Sequence, residues 1–333
     1  MICADSDRAI RHGVNEHAPR AAYNGLMTRR SSILILAGLA VAVSAHAQAP
    51  TPPDPAALLK EARQLENGGQ LTEALARYRK ALEQSGSQVE AHLGIGRVLD
   101  VEGKYGEARQ HIQKAIELAP DTLQNPALST MAVAYAFEGQ AAESAKYFQK
   151  VFDRQVAAGA PEAAAGTANA LGRVYLETGD ATNAEKWYRT GYDTARTIAR
   201  RSPEDVDLWD MRWHHAQARI FARRKQPEAA RKHADAVRTI VEKGTLDESQ
   251  RANYPYLVGY VAFYEGRPDE AIAALSKADQ EDPFILSLLA QAYGQTKDQA
   301  KARELYQKIL GIHGHSLQVA FSRPLARKRL AGR

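Results

Sequence analysis

The amino-acid sequence predicts an all-α solenoid built of stacked helix pairs. Three observations lead there. A frame of small and large residues recurs along most of the chain. Aromatic residues are only 7% of the chain while Ala is abundant, which suits helices packed closely through small side chains. No alternating apolar and polar run is long enough for a strand, and no Asn-Gly hairpin signal occurs. The frame is plainest in GKYGEARQHIQKAIELAP at 103–120 and GRPDEAIAALSKADQEDP at 266–283, which share Gly first, Glu fifth, Ala sixth, Ala thirteenth and Pro last.

From the N-terminus, residues 1–26 are polar and irregular, and MTRRSSILILAGLAVAVSAHAQA at 27–49 reads as a secretory signal. Arg29 and Arg30 supply its positive region, and an apolar core runs from Ile33 to about Ala45, too short to span a bilayer comfortably. Ala45-His46-Ala47 places small residues where a signal peptidase needs them, so cleavage is expected before Gln48. Met27 is the expected start, with 1–26 untranslated or disordered and 27–47 the signal peptide. The only cysteine, Cys3, then falls outside the mature protein, which excludes disulfides, thiolate metal sites and Cys nucleophiles. A Pro-rich spacer occupies 48–56, and Asp54-Pro55 reads as an N-cap with Pro at the first helical position.

The repeat array is expected over 57–315. In the second helix of each unit an anchor recurs as Ala74, Ala108, Ser144, Ala184, Ala229, Ala271 and Ala302. Four residues later stands a large residue (Tyr78, Ile112, Phe148, Tyr188, His233, Leu275, Tyr306), and seven later an apolar or small one, so all three share a helix face. Twelve residues before the anchor the first helix carries Ala62, Gly96, Ala132, Gly172, Gly259 and Ala290, with Gln217 breaking the pattern. A small residue on each helix lets the two approach, and the large ones fill the space beside the crossing. Gly69, Gly103, Gly139, Gly179 and Gly266 fall at the turn between helices, where a left-handed backbone costs glycine little. VFDRQVAAGAPEAAAG and IARRSPEDVDLW hold the extra residues of the longer middle units.

This frame resembles the tetratricopeptide repeat family. The resemblance implies a right-handed α-α superhelix of about seven helix pairs, whose first helices line a concave groove that binds protein or peptide. Residues 316–333 are expected to form a terminal capping helix, polar outward, with a basic tail.

With the small residue as position eight, the ninth position of the first helix holds Arg63, Arg97 and Arg173 in three units, and Tyr260 in the sixth. These, with His214, Tyr256 and Tyr264, are the candidate partner-binding residues. Arginine suits carboxylates and exposed aromatics suit apolar anchors, so the expected partner is a protein or peptide with an acidic segment. The carboxylate clamp of some family members is not reproduced: its groove positions hold Leu59, Leu93, Ser129 and Asn169.

Chemistry beyond binding finds no support. His214-His215 and His313-Gly314-His315 lack the spacing of a chelate on one helix, and no metal site is expected. There is no phosphate loop, nucleophile elbow or cofactor fingerprint, so no cofactor and no catalytic role is expected. The net charge of +5 is spread over interspersed Lys, Arg, Asp and Glu, with no dense stripe of the kind nucleic acid requires. The function expected is that of an exported scaffold in the bacterial cell envelope, periplasmic or secreted, without a stable membrane span once mature. An obligate subunit of an envelope assembly or secretion machine, and an enzyme or small-ligand binder, are the alternatives. N-terminal sequencing of protein exported by its own signal is expected to begin at Gln48; an intact Met1 or Met27 would overturn the cleavage site.

Overall fold

The computed structural model describes residues 54–84 and 88–332; the expected signal and most of the spacer lie outside the described residues. Seven helix pairs follow one another: α1 (Pro55–Asn67) with α2 (Leu71–Gln84), α3 (Val89–Glu102) with α4 (Tyr105–Leu118), α5 (Asp121–Phe137) with α6 (Ala141–Ala157), α7 (Pro161–Glu177) with α8 (Ala181–Arg196), α9 (Pro203–Arg223) with α10 (Pro227–Glu242), α12 (Asn253–Tyr264) with α13 (Pro268–Leu275), and α14 (Pro283–Gln295) with α15 (Gln299–Leu310). A one-turn helix α11 (Glu248–Arg251) lies in the connection before α12, and α16 (Leu317–Leu330) ends the chain. No strand occurs among the described residues. The result is an all-α superhelix in which each helix lies against its pair partner and against the neighbouring unit. Asp54 accepts a hydrogen bond from the Ala56 amide at 3.2 Å and Pro55 opens α1, as the sequence suggested. The extra residues of the middle units lengthen helices: α6 and α7 have 17 residues each and α9 has 21.

The crossings within each pair are made as the frame demands. Ala74, Ala108, Ser144, Ala184 and Ala271 are all 0% exposed. A Cβ at Gly172 would lie 2.8 Å from the Tyr188 ring, and one at Gly259 would lie 2.5 Å from Leu275 Cγ. The small residue therefore makes room for the large residue four places after the anchor.

The fifth unit corrects the frame by one residue. Its crossing uses Ala218 and Ala230, both 0% exposed, followed by Ala234 and Val237, in place of Gln217, Ala229, His233 and Ala236. The twelve-residue spacing survives the shift. The exception at Gln217 thus reflects a misplaced register; the small pair and its spacing hold in the fifth unit, with Ala234 standing where the other units have a large residue.

All five turn glycines adopt positive φ, between 71° and 94°. In the fifth and seventh units the same place is taken by Lys225 (φ 57°) and Lys297 (φ 67°), where a side chain costs about 1–2 kcal/mol relative to glycine.

The C-terminal helix does more than follow the last pair. α16 lies against α14 and α15 and also turns back against α5 and α7. Leu317, Val319 and Ala320 are at most 4% exposed and share one apolar cluster with Val133 and Phe137 of α5 and Leu171 and Val174 of α7. Farther along, Ala326 is buried in one cluster with Leu289, Leu305 and Tyr306 of the last pair, so α16 covers apolar surface on both sides.

Two changes read the frame directly. Ala271→Leu is expected to overpack the α12–α13 crossing and cost about 1–3 kcal/mol. Lys297→Gly is expected to gain about 0.5 kcal/mol, the left-handed penalty less the added freedom of the unfolded chain. Urea titration checks both, and equal or reversed effects would contradict the assigned turn and crossing.

Candidate partner-binding groove

First helices face inward. Arg173 of α7 reaches across to the Tyr256 hydroxyl of α12 at 3.2 Å and stacks its guanidinium 3.6 Å from the Phe284 ring centroid of α14. Units four, six and seven therefore meet across one groove, and α16 packs against α5, α7 and α14.

The arginines at the ninth position are held by their neighbours. Arg97 donates to both oxygens of Glu66, each at 2.7 Å, and lies 3.3 Å from the Tyr78 hydroxyl. Tyr78 in turn donates to Glu66 at 2.6 Å. Burial alone would raise the Glu66 carboxyl, but the Arg97 hydrogen bonds and charge reverse that and hold it below the usual carboxylate range. Arg63 is half exposed and pairs with Glu90 at 2.6 Å at the first interface. Arg173 is buried beside Glu177, 3.0 Å away but outside hydrogen-bond alignment. The expectation that Arg97 and Arg173 form a free wall is corrected accordingly: both are engaged within the chain.

The register shift adds a fourth arginine to this set. Arg219 occupies the ninth position of the fifth unit and donates to the Tyr188 hydroxyl at 3.0 Å. Tyr188 stands four residues after its anchor, as Tyr78 does, so the contact repeats between units one and two and between units four and five. The acid does not repeat. Glu66 stands four residues after Ala62, whereas Leu176 stands four after Gly172. Arg219 is 2% exposed, has no carboxylate in salt-bridge range among the described residues, and its Nη1 has no hydrogen-bond partner. Beside it His215 is 1% exposed with both ring nitrogens unpartnered. Burial, then Arg219 and Arg173, push the His215 imidazole well below its ordinary range, so it is neutral.

The tyrosines are also enclosed. Tyr256 and Tyr260 are 4% and 2% exposed, so neither presents a free surface, while Tyr264 is half-buried. Arg223 bridges Tyr260 at 2.6 Å and Glu177 at 2.7 Å, and its guanidinium sits 4.9 Å from the Tyr264 ring. A cleft of about 590 Å³ stays open next to α16, lined by Phe263, Gln291, Arg303, Tyr306 and Arg329 among others.

The histidines pair between helices. His214 and His233 approach Nδ1 to Nδ1 at 2.8 Å, and His92 and His111 do so at 3.0 Å. In the corrected frame both pairs hold the same two positions, four before the small residue and three after the anchor. A search confined to spacing within one helix misses them; the repeat frame itself was the signal that could have found them. Among the described residues no group of three or more His, Cys, Asp or Glu is placed to hold a metal ion.

Comparison with known proteins agrees with the geometry. One tetratricopeptide repeat model matches residues 59–121 and 256–316, and a second matches 165–197. Those three stretches match tetratricopeptide repeats. A tetratricopeptide repeat protein from Parabacteroides merdae superposes with a TM-score of 0.53 at 12% identity, over 83% of this chain and 97% of that one. The putative kinesin light chain repeats of Podosopora anserina give 0.48 at 18% identity over 57% and 98% of the two chains. PilF of Pseudomonas aeruginosa gives 0.45 at 15% identity over 76% and 97%. At 12% identity the first of these likenesses speaks to fold alone. No curated protein matches the chain by sequence.

The difference between Arg97 and Arg219 is measurable. Glu66→Gln strips a buried arginine of its counter-charge and is expected to cost about 3–5 kcal/mol. Arg219→Met with Tyr188→Phe removes a buried charge that has no acid, and is expected to be neutral or stabilising by up to about 4 kcal/mol. Chemical denaturation of the two variants checks the contrast.

Proposed function

We propose that this protein is an exported scaffold of the bacterial cell envelope that binds other proteins through its inner groove. The tetratricopeptide repeats support protein binding, since stacked helix pairs create an extended concave surface with no reactive centre of their own. The observation that carries the reading is α16 itself: a segment of polypeptide, helical and half apolar, seated against the first helices of three units. A surface that accepts one helix in this way is suited to accept another. Export rests on the signal read at 27–47, and no described helix is long and apolar enough to cross a membrane.

The candidate contact residues narrow with the structure. Arg97, Arg173, Tyr256 and Tyr260 shape the groove from within, whereas Arg63, His214 and Tyr264 retain exposed surface, and Gln291 and Arg303 line the open cleft. Affinity capture from native periplasm, read by mass spectrometry, is the test. The wild-type bait is expected to enrich at least one protein, and a Tyr264→Ala, Gln291→Ala, Arg303→Ala bait to recover less of it. Equal recovery by both baits, or none by either, would count against the groove as the site.

A further inference from the structure

We infer that α16 is a built-in ligand of the groove, and that the same groove takes a basic amphipathic helix from a partner protein in exchange for it. This deepens the scaffold reading and rests on it.

The seat of α16 is electronegative without being acidic overall. It is built on the last turn of α3, where the final carbonyls carry the negative end of the helix dipole. Arg323 Nε donates to the Val101 carbonyl at 3.1 Å and Arg327 Nη2 to the same oxygen at 2.7 Å. Arg323 Nη1 donates to the Leu310 and Ile312 carbonyls, at 2.6 and 3.1 Å, at the end of α15. One residue back, Asp100 is 0% exposed and takes His315 Nε2 at 2.9 Å. The groove floor thus offers one carboxylate and two helix ends; α16 answers with two arginines one turn apart, and His315, just before it, with a histidine. A basic helix is the chemistry that fits, in place of the acidic segment the exposed arginines of the sequence suggested.

The fit of α16 is serviceable but incomplete, which makes exchange feasible. Asp100 Oδ1, Gln318 Oε1, Ser322 Oγ and His313 Nδ1 are buried without a hydrogen-bond partner. Each such group costs about 1–3 kcal/mol relative to a satisfied one. Arg323 is 8% exposed and bonds only to carbonyls; burial and the neighbouring Arg327 push its guanidinium down to about 10. A partner helix that brings an arginine to Asp100 would satisfy both carboxylate oxygens where His315 satisfies one. It would cover the same apolar floor formed by Val133, Phe137, Leu171 and Val174, so the apolar terms largely cancel in the exchange.

The probe is a fluorescein-labelled synthetic peptide of residues 313–333, added to the purified full chain. An Ala320→Asp, Ala326→Asp protein places carboxylates at sites 1% and 0% exposed and expels its own α16. If the open form is a minor population of the wild type, the expelled variant binds the peptide at least about tenfold tighter. A peptide carrying Arg323→Glu and Arg327→Glu is expected to lose at least about tenfold against the unaltered peptide on the same protein. Equal binding of the two peptides, or no gain by the expelled variant, would overturn the inference. Hydrogen exchange of the wild type guards against a variant that fails to fold. The amides of 317–330 are expected to exchange faster than those of α14, and exchange of both at one global rate would overturn displacement. A captured partner that the peptide displaces supports the inference. A captured partner that the peptide leaves bound overturns it while sparing the scaffold reading. Peptide exchange as expected with no partner captured supports the built-in ligand and counts against the scaffold.

Discussion

Everything in this fold depends on a close approach of two helices at a pair of small residues. Where Gly172 faces Tyr188 and Gly259 faces Leu275, a single added carbon would collide with the large side chain. That contact sets the distance within each pair, and repetition of the distance sets the superhelix. The ninth-position arginines then have a fixed geometry to exploit. Because Arg97 and Arg219 follow the small residue directly, each emerges at the edge of the crossing, within reach of the tyrosine hydroxyl from the preceding unit. Arg97 with Tyr78 and Arg219 with Tyr188 are the same joint made twice. The joint is strong where an acid completes it and costly where Leu176 stands in the acid's place.

The sequence made the crossings legible because they need particular sizes at particular spacings. Ala108 and Ala271 could be read from composition and period alone. The fifth unit was misread by one residue because Ala229 and Ala230 are adjacent and equally small, and only burial separates them. That slip hid Arg219 from the arginine series and hid the equivalence of the two histidine pairs. The turns were half legible: glycine marks a left-handed position, but Lys225 and Lys297 adopt it with no sequence mark.

The candidate site was less legible than the fold, for a physical reason. Position in a repeat says which way a side chain leaves its helix, but says nothing about what arrives opposite. Arg173 and Tyr256 were correctly placed on the inner face, yet 83 residues separate them, and their contact depends on how far the array curls. The destination of α16 was hidden for the same cause. Its apolar residues announce that it must be covered, and nothing local in the sequence says by what.

The return of the C-terminal segment changes how the chain must fold. A Cβ at Gly69, in the first turn of the array, would lie 2.5 Å from His313, and one at Gly103 would lie 2.7 Å from Arg327. Asp100 and His315 are 215 residues apart, and Val101 and Arg327 are 226 apart. Repeat arrays usually hold only neighbour contacts, so they can begin anywhere and grow by addition. Here the first two units receive contacts from residues 313–327, at the far end of the array. Closing so long a loop carries an entropy cost that grows with the logarithm of its length and delays the step that pays it back. The array is therefore a ring in kinetic terms, though it is a line in its architecture, and its two ends mature together.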